Sequence, residues 1–198
     1  MAYSYEQFIK EKIKEISKGK IVLDLGGGKR FEKWLVEYEN LFSDCDYKTL
    51  DRDSSTNPNI LADVHNIPLA DESVDSVICS SVLEHVKDPC RVVGEIYRIL
   101  RKGGKVFVYV PSIYPYHGTR GHYQDYWRFF DDTLYFMFKN FSNLEIKKRG
   151  GYFRALVHFF PFQAHFHFLL YPLSYWLDKF LISEKRHTTS GYYLFAVK

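Results

Sequence analysis

Short apolar segments alternate with helical repeats along the first 111 residues. IVLDL (21–25) and KVFVYVP (105–111) are almost wholly apolar, as expected for strands buried on both faces of a sheet. Further strands are predicted at YKTLD (47–51), NILAD (59–63) and VDSVICS (74–80). Strands that alternate with helices in this way predict a doubly wound parallel sheet.

Helical spacing separates these strands. Residues 4–18 keep apolar positions on one face, and Ser4 and Gln7 stand in capping-box spacing. This helix is expected to pack across the edge of the sheet. Residues 31–39 resume helical spacing, and Asp88 followed by Pro89 predicts the start of another helix. The glycine pair at 103–104 is expected to end that helix.

The regular alternation of strands and helices ends at Pro111. A loop rich in Tyr and His precedes a helix opened by Asp131, with Leu134, Tyr135 and Phe138 expected on one face. Strands are predicted at 143–149 and 191–198. The aromatic residues follow this division, since 11 of 36 lie in residues 1–110 and 25 in residues 111–198.

Composition favours a single globular domain over residues 1–198. The chain has 26% charged and 46% hydrophobic residues, which excludes disordered, collagen-like and disulfide-rich classes. A net charge of +3 is too small to argue for a nucleic-acid surface. Three cysteines without a CxxC pair indicate neither a zinc site nor a disulfide framework. The charged N-terminal segment lacks a secretory signal, so a cytoplasmic protein is expected.

A glycine-rich turn carries the first candidate chemistry. In DLGGGKR the strand ends at Asp24 and Leu25, and backbone N–H groups then lie at the carboxyl edge of the sheet, where such folds bind ligands. Nicotinamide, flavin and S-adenosylmethionine sites all share this turn, and Asp51 could bind ribose hydroxyls in any of them. Phe31 stands where a pyrophosphate site has its third glycine, which disfavours a dinucleotide. Asp63 and the Val64 N–H could hold adenine.

The order of these motifs resembles class I S-adenosylmethionine-dependent methyltransferases of the type 11 kind. The segments that carry the resemblance are IVLDLGGG, TLDRD, LADVHNIPLADESVDSVICSSVLEHVKDP and VVGEIYRILRKGGKVFVYVP. The resemblance implies that the methionine end of the cofactor contacts Asp24, Gly26, Gly27 and Gly28. It also implies that Asp51 binds the ribose with Arg52 beside it, that Asp63 and Val64 contact adenine, and that Ser80 lies below the sulfonium. Arg30 departs from the family pattern, which has a third glycine there.

The resemblance and the predicted elements together define the expected architecture. We expect a Rossmann-like sheet of about seven strands, mostly parallel with an antiparallel last strand, and an aromatic helical insertion at 152–185. Residues 1–111 would form the cofactor-binding half and residues 112–198 the acceptor-binding half.

Titratable side chains gather where the methyl acceptor is expected. His85 follows the fourth strand, where it could contact substrate, act as a base or cap the adjacent helix. His117, His122 and Asp125 lie in the loop after the fifth strand and are candidates for base or orienting groups. No carboxylate–histidine spacing joins these histidines to His165 and His167, so no metal site is expected.

The segment HYQDYWRFF is similar to one found in methyltransferases of glycan and cell-envelope biosynthesis. The similarity implies that Tyr126, Trp127 and Arg128 shape the acceptor pocket, with Arg128 suited to a phosphate or carboxylate. Alternatively, the rings belong to the core and Arg128 pairs with an acidic neighbour.

Residues 155–177 contain no Asp, Glu, Lys or Arg over 23 positions. Their histidines, glutamine and prolines disfavour a membrane span. Two interpretations remain, a cover over the acceptor pocket and an interfacial element that touches a membrane, with basic residues nearby at Lys147, Lys148, Arg149 and Arg154.

The sequence therefore predicts an S-adenosylmethionine-dependent methyltransferase that releases S-adenosylhomocysteine. The expected acceptor is an oxygen of a saccharide, a lipid-linked saccharide or another small molecule, and the protein is cytoplasmic or peripheral to the inner face of a membrane. A non-catalytic cofactor-binding or interaction protein and a nicotinamide-dependent enzyme are the alternatives. The oligomeric state stays open.

Overall fold

A computed structural model describes residues 4–161, 163–181 and 188–198, and a seven-stranded sheet forms its centre. The strands are β1 (Ile21–Leu25), β2 (Asp46–Asp51), β3 (Ile60–Leu61), β4 (Val74–Ser80), β5 (Leu100–Pro111), β6 (Ser142–Lys148) and β7 (Gly191–Val197). The α-helices are α1 (Tyr5–Ile16), α2 (Pro89–Ile99), α3 (Asp131–Met137), α4 (Tyr152–Val157) and α5 (Gln163–Leu181). Three 3₁₀ helices cover Lys33–Phe42, Ser54–Thr56 and Leu83–His85.

The strand order is β3-β2-β1-β4-β5-β7-β6. All neighbours from β3 to β5 pair in parallel, and β7 runs antiparallel to both β5 and β6. The predicted Rossmann-like class is therefore confirmed, including its antiparallel last strand. Because chain direction through the sheet reverses at β1, the crevice between β1 and β4 is the place where such folds bind ligands.

Alternating side chains on the central strands divide the core into two layers. On β5, Val106, Val108 and Val110 lie on the face covered by α2 and α3, whereas Phe107 lies on the opposite face with α1. The period of two follows from the strand geometry, in which successive side chains point to opposite faces. Since both faces are buried, apolar residues occupy most positions at the centres of these strands.

Helix α1 lies on a face of the sheet and not across its edge, contrary to the sequence-based expectation. Ser4 caps it as predicted, since its hydroxyl accepts from the Gln7 N–H at 3.1 Å. Buried side chains of α1, including Ile13 and Ile16, pack with Ile78 of β4 and the aromatic residues of β5 and β7. Helix α1 buries four apolar residues over about three turns, which is more apolar surface than contact with the edge of a sheet would cover.

Two local predictions were wrong in detail. The segment expected to form an α-helix from residue 31 is a 3₁₀ helix over Lys33–Phe42. The glycine pair at 103–104 does not end α2, which stops at Ile99, but lies in β5 where the pairing with β4 shifts register. In α3, Leu134 is fully buried whereas the neighbouring Tyr135 is 54% exposed.

Helices α4 and α5 pack against each other beside the sheet. Asp178 of α5 accepts from the backbone N–H groups of Gly151, Phe153 and Arg154, and so satisfies the first turn of α4. Residues 162 and 182–185 of the predicted insertion lie outside the described residues. Among the helices of residues 4–161, 163–181 and 188–198, none combines the length and apolarity that a bilayer crossing requires.

Helix α3 offers a direct comparison between a buried and an exposed neighbour. We expect Leu134→Ala, which removes a fully buried side chain, to lower the free energy of unfolding by about 3 kcal/mol. Tyr135→Ala should change it by less than about 0.5 kcal/mol, since most of that ring faces solvent. Urea unfolding of both variants measures this, and equal losses would contradict the assigned faces of α3.

Candidate active site

One cavity opens at the carboxyl ends of the parallel strands. Its volume is about 830 Å³, within the range of small-molecule and cofactor sites. The loops after β1, β2, β3, β4 and β5 all contribute to its wall. Its lining includes Gly26, Gly28, Asp51, Arg52, Asp53, Asp63, Val64, His65, Ser81, Glu84, His85, Tyr109, Tyr114, His117, His122, Tyr123, Tyr126 and Arg149. Most of the side chains predicted for the site therefore meet in one place.

The glycine loop brings backbone close to the cavity. Gly26 and Gly28 have φ values of 63° and 64°, a left-handed conformation that favours glycine. A Cβ on Gly26 would lie 2.6 Å from Cγ2 of Val82, so a side chain has no room there. The Gly26 N–H donates to the Leu50 carbonyl at 2.7 Å, which ties the loop to the end of β2. The loop thus offers bare backbone to a ligand.

Asp24 supports this loop from below and does not line the cavity. It is 2% exposed, and its Oδ2 accepts from the Tyr47 hydroxyl at 2.7 Å. Burial and the neighbouring Asp24 carboxylate raise the pKa of Tyr47. Gly27 lies directly over this carboxylate, since a Cβ there would be 2.1 Å from Oδ2. Asp24 and Gly27, both predicted as cofactor contacts, are placed as supports of the loop.

Arg30 and Phe31, the two departures from known loop patterns, point away from the cavity. The Arg30 guanidinium donates to the Tyr47 carbonyl at 3.1 Å and lies over the Phe31 and Tyr47 rings. Phe31 has φ 53° and stacks on Tyr47 with ring centroids 4.3 Å apart. Arg30 therefore does not obstruct the loop.

Polar groups after β2 and β3 form the opposite wall. Asp51 accepts from the Gly28 N–H at 3.2 Å through Oδ2 and from the Asp53 N–H at 2.9 Å through Oδ1. Asp63 accepts twice from His65 through Oδ1, from the backbone N–H at 2.8 Å and from Nδ1 at 2.6 Å. Burial acts to raise the pKa of Asp63, but these two bonds outweigh it and the pKa is lowered. Asp51, Arg52, Asp63 and Val64 all line the cavity as predicted.

The turn after β4 places Ser81 in the cavity where Ser80 was expected. The Ser80 hydroxyl accepts from Trp34 Nε1 at 3.2 Å on the far side of the strand. Ser81 has φ 56°, and its N–H donates to the Tyr109 carbonyl at 3.0 Å. This reversal of the chain is a local feature that strand periodicity does not reveal.

His85 and His117 meet beside a buried carboxylate that the sequence reasoning missed. Their ring centroids are 4.9 Å apart. Oε1 of Glu84 lies 3.9 Å from Nε2 of His85 and 3.7 Å from Nε2 of His117. The Glu84 side chain is fully buried, and neither of its oxygens has a hydrogen-bond partner among the described residues. An acidic residue inside the apolar segment VLEHV was the available signal.

The second nitrogen of each imidazole is held by the loop after β5. His85 Nδ1 lies 2.7 Å from the Gln124 carbonyl, and His117 Nδ1 lies 3.3 Å from the Pro115 carbonyl. Because a carbonyl oxygen only accepts, Nδ1 is assigned as the donor in both rings and Nε2 carries the lone pair. Contact with Glu84, opposed by burial and aided by Pro115 and Asp125, raises the pKa of His117.

Asp125 and Arg128 form an ion pair inside the same loop, and neither lines the cavity. The guanidinium donates to both Asp125 oxygens, at 2.5 and 2.6 Å, and its other N–H groups donate to the carbonyls of Tyr114, Pro115 and Trp127. These five bonds use all five N–H groups of the side chain. Arg128 therefore has no donor left for the phosphate or carboxylate that the sequence reasoning assigned to it, and the acidic-neighbour alternative describes its contacts.

Asp125 is likewise occupied by the loop. Its side chain is fully buried and also accepts from the His117 N–H at 2.9 Å. Burial acts to raise the pKa of Asp125, but Arg128 and His117 outweigh it and hold the pKa at about 2. The structure places Asp125 as an anchor for His117 and not against an acceptor.

The remaining predicted residues divide between the cavity and its rim. His122 is largely exposed, and its carbonyl accepts from Arg52 Nη2 at 2.6 Å, which ties the loop to the end of β2. Tyr126 lines the cavity, whereas Trp127 does not and donates from Nε1 to the Val86 carbonyl at 2.8 Å. No described residue of 155–177 lines the cavity, so the interpretation of that segment as a cover is not supported.

Substitutions at two glycines, one in the glycine loop and one in α2 as a control, test whether the loop packs on Asp24. Gly27→Ala places a Cβ against the buried Asp24 carboxylate, and we expect it to destabilise the protein by about 1–3 kcal/mol. Gly94→Ala, in the exposed face of α2 with no atom within 4 Å of the new Cβ, should stabilise it by about 0.5–1 kcal/mol. Urea unfolding compares them. A neutral Gly27→Ala would mean that the loop is not seated on Asp24.

Sequence comparison places the first half of the chain in a known family. Residues 23–108 match the family described as a methyltransferase domain, type 11. An arsenite methyltransferase of Halobacterium salinarum is 30% identical over 104 residues, which are 46% of this chain and 27% of that protein. The chain spans less than half the length of the curated relatives it matches.

Solved structures share the fold over nearly the whole chain. A S-adenosylmethionine-dependent methyltransferase from Archaeoglobus fulgidus superposes with a TM-score of 0.64 at 14% identity, covering 98% of this chain and 93% of that one. Phosphoethanolamine N-methyltransferase 2 of Haemonchus contortus, solved with S-adenosylhomocysteine, superposes at 0.55 with 16% identity, covering 91% of this chain and 49% of that one. None of these proteins is described as acting on a glycan, so that association stays a prediction. Residues 23–108 thus match the type 11 methyltransferase domain, and nearly the whole chain shares the fold of solved S-adenosylmethionine-dependent methyltransferases.

Proposed function

We propose that the protein methylates an oxygen atom of a small-molecule acceptor, with a saccharide or a lipid-linked saccharide as the acceptor class. The observation that carries this proposal is the single cavity, which joins the glycine loop at one end to a cluster of Tyr, His and Arg side chains at the other. A cofactor at the first end and an acceptor at the second would share one space. When bound, S-adenosylmethionine supplies an electrophilic methyl group on a positively charged sulfur.

The residues after β1, β2 and β3 fit that cofactor. The glycine loop leaves its backbone uncovered, as close contact with a ligand requires. Each oxygen of Asp51 uses one lone pair within the protein, which leaves the second for a ribose hydroxyl. Both bonds from His65 go to Oδ1 of Asp63, so Oδ2 can accept from an exocyclic amine. These residues bind and orient the cofactor.

Aromatic and polar groups at the other end suit a hydroxylated acceptor. Tyr114, Tyr123 and Tyr126 present rings with hydroxyl groups, which can stack on a sugar ring and also bond to it. Arg149 lines the same wall and donates to the Tyr109 hydroxyl at 2.7 Å. The positive charge there suits an acceptor that carries a phosphate or carboxylate.

The Nε2 atoms of His85 and His117 and the Glu84 carboxylate supply the groups that act on the acceptor hydroxyl. Their lone pairs can orient its O–H and draw away its proton as the new O–C bond forms. Asp125 and Arg128 act indirectly, since they hold the loop that positions His117. The predicted catalytic role of His122 stays a prediction, with its ring at the rim.

Cofactor binding can be tested at the two ends of strand β2. Asp51→Ala should weaken S-adenosylmethionine and S-adenosylhomocysteine roughly 10- to 100-fold, because charge-assisted bonds to the ribose and to Gly28 are lost. Asp46→Ala removes an exposed partner of Lys48 at the opposite end and should leave both affinities unchanged. Titration calorimetry measures them, with NADH as a ligand expected not to bind.

The acceptor class requires a separate assay. Transfer of a labelled methyl group to a panel of free and lipid-linked saccharides should give a product stable to base, as an ether is. Binding of the cofactor without transfer to any acceptor would contradict the proposed reaction and favour a non-catalytic binding protein.

The exposed face of α5 supports contact with a membrane surface. Five large apolar residues follow one another at spacings of three and four along the helix, and all are about half exposed or more; they are Phe166, Leu169, Leu173, Trp176 and Phe180. A contiguous apolar stripe of this kind marks an interaction surface. Arg154 precedes the uncharged segment, and Lys179 follows Asp178 at its other end, so basic side chains for anionic lipid lie near both ends. Such contact would suit a lipid-linked acceptor.

Vesicle co-sedimentation tests this surface. The double variant Leu169→Asp and Leu173→Asp should bind anionic vesicles at least about tenfold more weakly than the unaltered protein, because two apolar side chains no longer enter the interface. Val36→Asp, which changes an equally exposed residue elsewhere, is the control. Unaltered protein that stays in the supernatant at every anionic lipid content would exclude the membrane interaction.

A further inference from the structure

Glu84, His85 and His117, which lie where the acceptor hydroxyl is proposed, also have the composition of a metal site. One ligand atom of each lies within 4.8 Å of the others, and all three residues line the cavity. The carboxylate is fully buried, and neither oxygen has a hydrogen-bond partner among the described residues. A buried carboxylate without hydrogen bonds is costly, and such groups are found paired or bound to a metal ion.

The distances do not describe a hydrogen-bonded triad. At 3.7 and 3.9 Å, the gaps between Oε1 and the two Nε2 atoms exceed hydrogen-bond length. Two ligand atoms of a tetrahedral zinc ion lie about 3.4 Å apart, given metal–ligand bonds of about 2.0–2.1 Å. All three ligand atoms lie within 4.8 Å of one another, so side-chain movements of about 1 Å or less would bring them to coordinating distance.

Both imidazoles are also oriented as metal ligands usually are. A histidine that binds a metal through one nitrogen donates the other N–H to a carbonyl or carboxylate, which fixes its tautomer. Nδ1 of His85 is held by the Gln124 carbonyl, and Nδ1 of His117 lies between the Pro115 carbonyl and Oδ2 of Asp125, 3.2 Å away. Each Nε2 lone pair is thereby directed toward Glu84. The Asp125–Arg128 pair then acts as the outer support of a ligand.

We propose that Glu84, His85 and His117 bind one divalent transition-metal ion, with zinc as the ion that best fits two imidazoles and a carboxylate. Three protein ligands leave a coordination position open toward the cavity, as in catalytic zinc sites. An acceptor hydroxyl at that position would lose its proton to solvent more readily than a free hydroxyl does. This last role rests on the proposed function, whereas metal binding itself does not.

Titration calorimetry of the chelator-treated full chain with Zn²⁺, Mn²⁺ and Mg²⁺ tests the site. We expect one zinc equivalent, with Mn²⁺ weaker and Mg²⁺ weakest, since Mg²⁺ prefers oxygen ligands. Glu84→Gln and His117→Ala should each weaken zinc at least 100-fold. The exposed Cys90 is replaced by Ser in every protein compared, because its thiol could bind zinc. His122→Asn, at the rim, is the matched histidine control and should bind zinc as before.

A measurement of thermal stability with and without zinc distinguishes a metal-binding site from a cluster that only supports the fold. Saturating zinc should raise the Tm of the unaltered protein by about 5 °C or more and leave that of Glu84→Gln unchanged. S-adenosylmethionine affinity, measured in the same variants, should not change, because the cofactor residues lie elsewhere in the cavity. If the unaltered protein does not bind S-adenosylmethionine, that result contradicts the proposed function and not the metal site. Absence of zinc binding, or equal binding by Glu84→Gln, would overturn the metal site.

Discussion

Strands β1, β4 and β5 are buried on both faces, and this burial determines where polar chemistry can lie. Inside the sheet the backbone groups bond to neighbouring strands, and the buried centres of β4 and β5, residues 77–79 and 106–110, are formed mainly by apolar side chains. Groups that must contact a ligand are therefore confined to the residues that follow each strand. Because the parallel strands end at one edge, the loops after β1, β2, β3, β4 and β5 meet around one cavity.

Glu84 joins the two halves of this cavity. Its backbone carbonyl accepts from the N–H groups of Tyr126 and Trp127, so the residue that follows β4 also anchors the loop that follows β5. Its side chain faces the two imidazoles. A substitution here would retain the backbone contact with the loop and change only the chemistry that the side chain presents to the site.

Much of this arrangement follows from local pattern in the sequence. The glycine turn follows a predicted strand and Asp51 and Asp63 each end one, and the common edge of a parallel sheet brings them together. His85 and His117 could be placed near each other on the same ground. Their nitrogen orientation could not, because it depends on carbonyls of a loop without periodicity.

The sequence does not predict those residue roles that depend on contacts made only in the folded chain. For Arg128 the sequence left two roles open, an acceptor contact and an acidic partner, and only the three-dimensional contacts show that Asp125 is that partner. Ser80 and Ser81 are adjacent in the chain, and the left-handed backbone conformation of Ser81 determines that Ser81 lines the cavity and Ser80 does not. Glu84 stands in an apolar segment that reads as core. Similarly, nothing in residues 155–177 distinguishes a cover from a helix that exposes its rings.

The position of β7 between β5 and β6 has a consequence for biosynthesis. As the chain leaves the ribosome, β5 is complete about 80 residues before its neighbour β7. During that interval the long, apolar β5 has an unpaired edge, and β6 has no place in the sheet. Until β7 inserts, the loop of residues 112–130 thus follows a strand with an unpaired edge. A nascent chain of this protein depends on β7 to protect the edge of β5 beside the cavity.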